Sequence, residues 1–499
     1  MYTMRENKRL LLFFAALSLA LLIPCISSRA EGLSYKAALD GRDITSVISD
    51  DDYSTTVKLY SGNKIVVTSD SPMQGIYLEW DRVPSEWLLI ENDKTSTFGT
   101  HGFLHEYAAL SSPGNTVTIE AEDSMTLCSI RAVPVGTDPK TIAQVWEEPT
   151  EKTDFLVFAT HSDDEILFLG GVLAKYGGGE GLSVQVAYLT EFWSTEPVRE
   201  HEKLDGLWES GIRRYPVDGG FRDHYAEDLD AALLKYDHDK ILSWTVETIR
   251  RFKPLIVVTQ DLNGEYGHGG HRLLAKCVTE AVEGSSDPSF YPASAEKYGV
   301  WEVKKTYLHL YPENTITLDL REPLPAMGGR SALEVARDAY KKHVSQQKYW
   351  FYVTDDPKDY RASEINCSKF GLFRTTVGND TGMNEMTENI ITYEDEERLA
   401  EEKRKEEIRL SEEAIRASSS ASIERERLKS EAASRDTLSS EVTESQKLQD
   451  GNDQKAASDK RFIILVIILC VLAGTALLLV ILRQRARKKR KRKRRRKST

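Results

Sequence analysis

A chain of 499 residues exceeds what one hydrophobic core usually organises, so two or three domains are expected. With 29% charged and 40% hydrophobic residues it is neither wholly disordered nor a polytopic membrane protein. The net charge of −12 conceals an asymmetry: residues 483–497 carry 13 Lys or Arg and no acid, residues 1–30 are mildly basic, and the middle is strongly acidic. Of five cysteines, Cys25 and Cys470 lie in apolar runs, and Cys128, Cys277 and Cys367 are too scattered for a disulfide framework or a thiolate zinc cluster.

Arg5, Lys8 and Arg9 precede an uncharged stretch from Leu10 to Pro24, and Ser28-Arg29-Ala30 follows with small residues, the layout of a signal peptide over 1–30. The stretch is short for spanning ~30 Å of hydrocarbon, and Cys25 after Leu22-Ile23-Pro24 poorly matches a lipoprotein box.

Residues 31–150 read as a small all-β sandwich domain. Thr55–Ser61, Lys64–Ser69, Gly75–Trp80, Glu86–Glu91, Thr116–Glu122 and Met125–Val133 are short runs separated by turn formers such as Ser112-Pro113-Gly114. Trp80, Trp87 or Tyr107, if exposed, would stack on sugar rings; filling the core is the plainer expectation. His101 and His105 sit in β-like surroundings and are not expected to bind metal.

From about Thr153 the pattern becomes α/β, giving a domain over 151–393. Strands are expected at Asp154–Thr160, Ser183–Thr190 and Leu255–Thr259, with helices at Glu165–Tyr176 and Pro197–Ile212. That alternation predicts a Rossmann-like, doubly wound sheet whose ligand crevice lies beyond the carboxyl ends of its strands. Gly177-Gly178-Gly179 reads as a turn after the first helix; His201, Asp223 and His224 could line the crevice, though surface positions are the plainer expectation.

Residues 394–460, rich in Glu, Lys, Arg, Ser and Ala, cannot bury a core and read as a stalk, part helical and part disordered. Phe462 to Leu482 has no charge and suits one transmembrane helix, 461–482 with its flank. The basic tail 483–499 would then stay inside and rest on lipid headgroups, which excludes a GPI signal and makes a nucleic-acid partner unexpected. The expected localisation is the plasma membrane, single-pass, with the body outside.

Two polar clusters follow strands. His161-Ser162-Asp163-Asp164-Glu165 comes after the first, and Asn263-Gly264-Glu265-Tyr266-Gly267-His268-Gly269-Gly270-His271 after the LIVVT strand. If helices begin near each cluster, the i,i+3 pairs His161/Asp164 and His268/His271 each share a face. Two imidazoles and a carboxylate form a catalytic zinc set with one position open, whereas four ligands would close the site; the pattern permits both. In the open version Asp163 accepts a proton from water and the spared histidine steadies an oxyanion or protonates a leaving amine.

ATHSDDE after a strand, with GEYGHGGHR further on, resembles the PIG-L/LmbE family of zinc-dependent N-acetylglucosamine-type deacetylases over roughly Asp154 to Asn389. The resemblance implies His161, Asp164 and His271 as metal ligands and Asp163 as general base. It further implies His268 at the oxyanion and leaving amine, Tyr266 as a second oxyanion donor, and Arg199 as a substrate contact. The family motif has Pro where Ser162 stands, and frequently Pro-Asp where Gly269-Gly270 stands, removing a carboxylate that would orient His268. Zinc is the expected ion, with iron, cobalt or manganese also suited to such ligands. The expected partner is an N-acetylated sugar or glycoconjugate. A non-catalytic carbohydrate-binding protein and a hydrolase of another amide are the competing readings. His343, in Tyr340–Gln346, matches the family without a physical role, and Asn366-Cys367-Ser368 is a glycosylation sequon.

Overall fold

The computed structural model describes residues 32–92 and 94–443. Its first sheet comprises Tyr35–Leu39 (β1), Arg42–Asp43 (β2), Val57–Leu59 (β3), Lys64–Trp80 (β4), Trp87–Glu91 (β5), Lys94–Phe98 (β6), His105–Ala121 (β7) and Met125–Pro134 (β8). All pairings are antiparallel, in the order β2-β1-β4-β7-β5-β6, with β8 joining β4 to β3. The strands thus form one hydrogen-bonded sheet of eight rather than two separate ones. β4 and β7 are each 17 residues long: β4 joins the two strands expected at Lys64–Ser69 and Gly75–Trp80, and β7 runs through the turn expected at Ser112-Pro113-Gly114. The register slips between Thr68 and Gly75, opposite Gly114, so Pro72 and Pro113 sit where the ladder is already interrupted and no N–H is demanded. Trp80 and Trp87 are fully buried, and Tyr107 packs over Gly75, where an added Cβ would lie 2.4 Å from its ring. Trp80 and Trp87 therefore offer no face for sugar stacking, whereas Tyr107 is half-buried.

The second sheet contains Phe155–Ala159 (β9), Val184–Glu191 (β10), Val217–Arg222 (β11), Ile256–Thr259 (β12), Lys305–His309 (β13), Thr315–Thr317 (β14) and Lys369–Thr375 (β15). Its order is β11-β10-β9-β12-β13-β15-β14, parallel from β11 to β13, with β15 antiparallel to both neighbours. Parallel strands are covered on both faces, which explains the unbroken apolar run FLVFA. Phe155, Val157 and Ala159 enter one core, Leu156 and Phe158 the other. The first core continues into the antiparallel sheet through Trp146, so both sheets share one apolar interior.

The helix expected over Glu165–Tyr176 breaks into Asp164–Leu167 (α1), a single turn at Gly170–Val172 and a π-helical stretch, Leu173–Gly179, which takes in the three glycines read as a turn. Close packing explains the glycines. A Cβ at Gly171 would meet Leu320 at 2.5 Å, and one at Gly178 would meet the Ser210 carbonyl at 2.6 Å. Further helices are Val198–Glu209 (α2), His238–Phe252 (α3), Gly269–Gly284 (α4) and Ala332–Tyr340 (α5).

Tyr393–Thr443 is one helix of 51 residues (α6), edged by ion pairs such as Arg409 with Glu406 (2.6 Å) and Glu413 (2.7 Å). Among the described residues no helix is long and apolar enough to cross a membrane. The leader 1–30, the segment 461–482 and the tail 483–499 lie outside the described residues. The single-pass plasma-membrane placement, and the bilayer contact that went with it, are accordingly withdrawn.

Candidate active site

β9 and β12 are parallel neighbours, with Val157 opposite Val258, so the chain leaves both strands on one edge of the sheet. The two polar clusters therefore meet although 110 residues separate His161 from His271. His161 Nδ1 lies 2.9 Å from Asp164 Oδ2, His271 Nε2 lies 3.2 Å from the same oxygen, and the two ring nitrogens are 3.2 Å apart. A tetrahedral ion with ligands at about 2.0–2.1 Å needs donor separations of about 3.3 Å, so this triangle fits one. His161, His268 and His271 also bring ring nitrogens within 4.8 Å of one another.

Carboxylates behind the donors orient them. Glu265 accepts from His271 Nδ1 at 2.8 Å and from His309 Nδ1 at 2.7 Å, while Asp223 Oδ1 lies 3.3 Å from His161 Nε2. Such outer carboxylates set ring orientation and ligand basicity. Burial opposes charge here, but Asp164 and then Asp223 raise His161 to about 10, and Asp164 and Glu265 raise His271 to about 9. Burial would also raise Asp164, yet His271 and His161 hold its carboxyl well below the usual range. Three carboxylates around two imidazoles leave a negative surplus suited to a divalent cation.

Asp163 adjoins this triangle without joining it. Its φ of 140° is a conformation few non-glycine residues adopt, and Glu165 pins it by accepting the Asp163 N–H at 2.8 Å. The other Glu165 oxygen lies 3.2 Å from His343 Nε2, which gives His343 a physical role. Arg199, second residue of α2, donates to Asp163 Oδ1 at 2.8 Å and to the Ser162 carbonyl at 2.6 Å, its guanidinium 3.8 Å from the Phe192 ring centre. Ser162 Oγ returns a bond to the Arg199 carbonyl at 2.7 Å, so serine at this turn ties the loop to α2. Burial lifts the Asp163 carboxyl to about 6, with Arg199 lowering and Asp164 raising it.

His268 is not the first residue of a helical pair but the cap of α4: its Nδ1 accepts the Gly270 N–H at 3.2 Å. That bond leaves the proton on Nε2, and burial, with His161 and His271 nearby, lowers the ring to about 2, so it stays neutral. The Gly270 backbone thus performs the orientation that the missing carboxylate would have supplied. Gly269 is required by packing, since its N–H donates to the Ala226 carbonyl at 2.8 Å and a Cβ would lie 1.9 Å from the Asp228 carbonyl oxygen. Tyr266 takes a left-handed conformation (φ 47°) and stands with its ring centre 5.8 Å from His268 and 5.4 Å from His271.

The structure brings the seven expected positions, His161, Asp163, Asp164, Arg199, Tyr266, His268 and His271, into one contiguous cluster of neighbours. Three residues with no assigned role join them: Glu265, His309 and Asp223, the last read as a surface residue. His309 ends β13, where the strand-end rule would have found it. His201, also read as a surface residue, is buried: its Nδ1 is 2.9 Å from His105 Nε2, and its ring stacks 4.0 Å from Tyr53. His224 is exposed as expected, and His101 pairs with Glu148 at 2.9 Å, away from His105. Glu79, His105 and Asp205 form a second cluster with donor atoms within 4.8 Å, cross-linked by Gln144, Tyr53 and Arg131. Asn366 is buried, its side chain bonded to Asp355 and Ser368, so the sequon is closed to a glycan in the folded chain.

Donor residues beyond the strand ends of a parallel sheet, beside a buried carboxylate and a neutral imidazole, make an α/β site equipped for hydrolysis. The family model described as PIG-L, GlcNAc-PI de-N-acetylase, matches residues 156–282. A 1D-myo-inositol 2-acetamido-2-deoxy-alpha-D-glucopyranoside deacetylase of Saccharopolyspora erythraea is 30% identical over 245 residues, covering 42% of this chain and 88% of that protein. One from Catenulispora acidiphila is 28% identical over 193 residues, covering 34% of this chain and 59% of the relative, so this chain matches less than two thirds of its length. The chain belongs to the PIG-L deacetylase family. Among solved structures, N,N'-diacetylchitobiose deacetylase from Pyrococcus horikoshii aligns with 39% of this chain and 71% of its own, at 16% identity and a TM-score of 0.31.

Proposed function

We infer that this protein removes the N-acetyl group from a 2-acetamido sugar or its glycoconjugate by metal-assisted hydrolysis. The observation that carries the reading is the donor triangle of His161, Asp164 and His271, with edges of 2.9 to 3.2 Å, beside a carboxylate that does not belong to it. These three residues would hold a divalent ion, zinc best, with iron, cobalt or manganese also fitting the ligand types. When bound, that ion supplies Lewis-acid chemistry, polarising the amide carbonyl and making water more acidic.

This chain's own residues handle the protons. Asp163, held by Arg199 and Glu165, accepts one from the attacking water and returns it to the departing nitrogen as the C–N bond breaks, giving acetate and the free amine. His268, with its proton on Nε2, and the Tyr266 hydroxyl donate to the carbonyl oxygen as negative charge develops there. A neutral imidazole suits a hydrogen-bond donor at the oxyanion, which favours that role over general acid for His268.

The test pairs acetate release from N-acetylated sugars with metal analysis. His161→Ala is expected to lose the ion. Asp163→Asn is expected to keep it and lose about 10²–10⁴ in rate. Metal loss in Asp163→Asn with surviving activity would reverse the two roles.

A further inference from the structure

Helix α2 carries Arg199 to the Ser162-Asp163 loop, while its opposite face belongs to the antiparallel sheet. Residues two apart on a helix point roughly 200° apart, and residues four apart share a face. Arg199 and His201 therefore face opposite ways, whereas His201 and Asp205 act together. His201 Nδ1 lies 2.9 Å from Nε2 of His105, the first residue of β7, and its ring stacks 4.0 Å from Tyr53. Asp205 accepts the Tyr53 hydroxyl at 3.0 Å and the Gln144 amide at 2.5 Å. A second tie precedes the helix. Arg82, just after β4, donates to the Trp193 carbonyl at 2.9 Å, and its guanidinium carbon lies 5.0 Å from the Trp193 ring centre.

The direction of these hydrogen bonds follows from their partners. Gln144 Oε1 accepts from Trp146 Nε1 at 3.0 Å, and the same oxygen faces His105 Nδ1 at 2.8 Å. An amide oxygen only accepts, so His105 carries its proton on Nδ1 and offers Nε2 to the His201 N–H. Both rings are buried, and a buried donor parted from its acceptor is costly, so the pair holds one geometry. Most of α2 is buried as well, Glu200 to Leu204 with Gly206 and Leu207, which leaves the helix no free direction in which to slide. On the far side Arg199 reaches Asp163 Oδ1 at 2.8 Å and the Ser162 carbonyl at 2.6 Å. One turn of helix is stiff, so what seats His201 also seats that guanidinium.

We propose that the antiparallel sheet is a positioning element of the catalytic site: His105 and Tyr53, through His201 and Asp205, hold α2 at the setting that places the Arg199 guanidinium on Asp163. The proposal rests on the deacetylation reading for the role of Asp163, and it gives the first sheet a part in that reaction. His105, Tyr53, His201 and Asp205 touch no reacting atom and act through Arg199. The cluster of Glu79, His105 and Asp205 is a mechanical joint, its donors engaged by Arg131, Gln144 and Tyr53.

The test is a double-mutant cycle on the full-length, metal-loaded chain, with acetate release from N-acetylglucosamine and N,N'-diacetylchitobiose normalised to bound metal. His201→Phe keeps a flat ring without the donor and is expected to lower kcat/KM about tenfold. In an Arg199→Met background the same change is expected to cost less than about twofold, because the group it acts through is gone. His201→Asn returns an N–H at the Nδ1 position and is expected to stay within about threefold of wild type. Tyr53→Phe removes only a hydroxyl, is expected to lose about threefold, and replaces His201→Phe in the cycle if that variant does not fold. Equal losses with and without Arg199 overturn the proposal, and so does a His201→Asn as slow as His201→Phe. If wild type releases no acetate, the deacetylation reading fails. The guanidinium nitrogen NMR signal of Arg199, assigned through Arg199→Met, then decides the coupling by itself: a shift in Tyr53→Phe upholds it, and an unchanged signal overturns it.

Discussion

Asp163 keeps a φ of 140°, a strain of about 1–3 kcal/mol that persists because Glu165 holds its N–H and Arg199 its carboxylate. Burial lifts this carboxyl and the arginine partly offsets the lift. Arg199→Met should therefore raise its pKa and move the acid limb of the kcat/KM profile to higher pH, a shift that pH-rate measurements on the metal-loaded protein will show. A divalent ion lowers the starting value in both proteins and leaves the sign of the shift unchanged. Glu265 acts one layer out, on His271. Glu265→Gln keeps the shape but weakens the acceptor, and should cost about 10–100-fold in metal affinity, read by chelator competition. An affinity unchanged from wild type would show that His309 and the packing alone hold the ring.

Helix α2 owes little to an apolar stripe. Arg199 reaches the Ser162-Asp163 loop, Glu200 accepts the Phe192 N–H at 2.6 Å, Glu202 accepts Ser345 at 2.6 Å, and Lys203 reaches Asp218 at 2.8 Å. His201 and Asp205 reach the antiparallel sheet through His105, Tyr53 and Gln144. Burial first, and then the neighbouring His105, keep His201 well below its ordinary pKa. The folded chain thus binds fewer protons at this ring than the unfolded chain. The stability it contributes is present above the unfolded value near ~6.5 and is lost as pH falls below it. Melting temperature should drop on the acid side of that value in wild type, and drop less steeply in His201→Gln. At the start of α4, Gly269→Ala pushes a Cβ to 1.9 Å from the Asp228 carbonyl oxygen. That clash should cost about 1–3 kcal/mol in denaturant unfolding and lower activity by displacing His268.

One apolar interior spans both sheets, so cutting the chain at residue 150 leaves half of a seam. Trp146 packs on Trp208 at 5.3 Å, Phe103 stacks on Tyr215 at 4.5 Å, and the Tyr215 hydroxyl accepts the Leu104 N–H at 3.0 Å. A 151–401 fragment should aggregate or melt without cooperativity, whereas 32–401 should unfold in a single cooperative transition by calorimetry. Two cooperative fragments of native-like content would show that the sheets are energetically independent.

Local pattern carried much of this fold into view. A five-residue apolar run reads as a doubly covered strand because a parallel strand has no solvent face, and FLVFA is one. The two motif clusters are legible because each packs its polar residues into a few positions directly after such a strand. Turn chemistry misled at Ser112-Pro113-Gly114, where a bulge in a long strand uses the same residues as a chain reversal. Glycine misled at 177–179, where contact with Ser210 and Leu324, remote in the chain, demands the missing side chains.

Residue order alone determined which donors existed, which strands preceded them and that both clusters followed strand ends, because period and motif are short-range properties. Three-dimensional packing decided that the clusters lie on adjacent strands, that Glu265 and Asp223 stand behind the histidines, and that the Gly270 amide orients His268. Those contacts join segments tens to hundreds of residues apart, and their partners are chosen by burial and hydrogen-bond satisfaction across the whole core, which no local window contains.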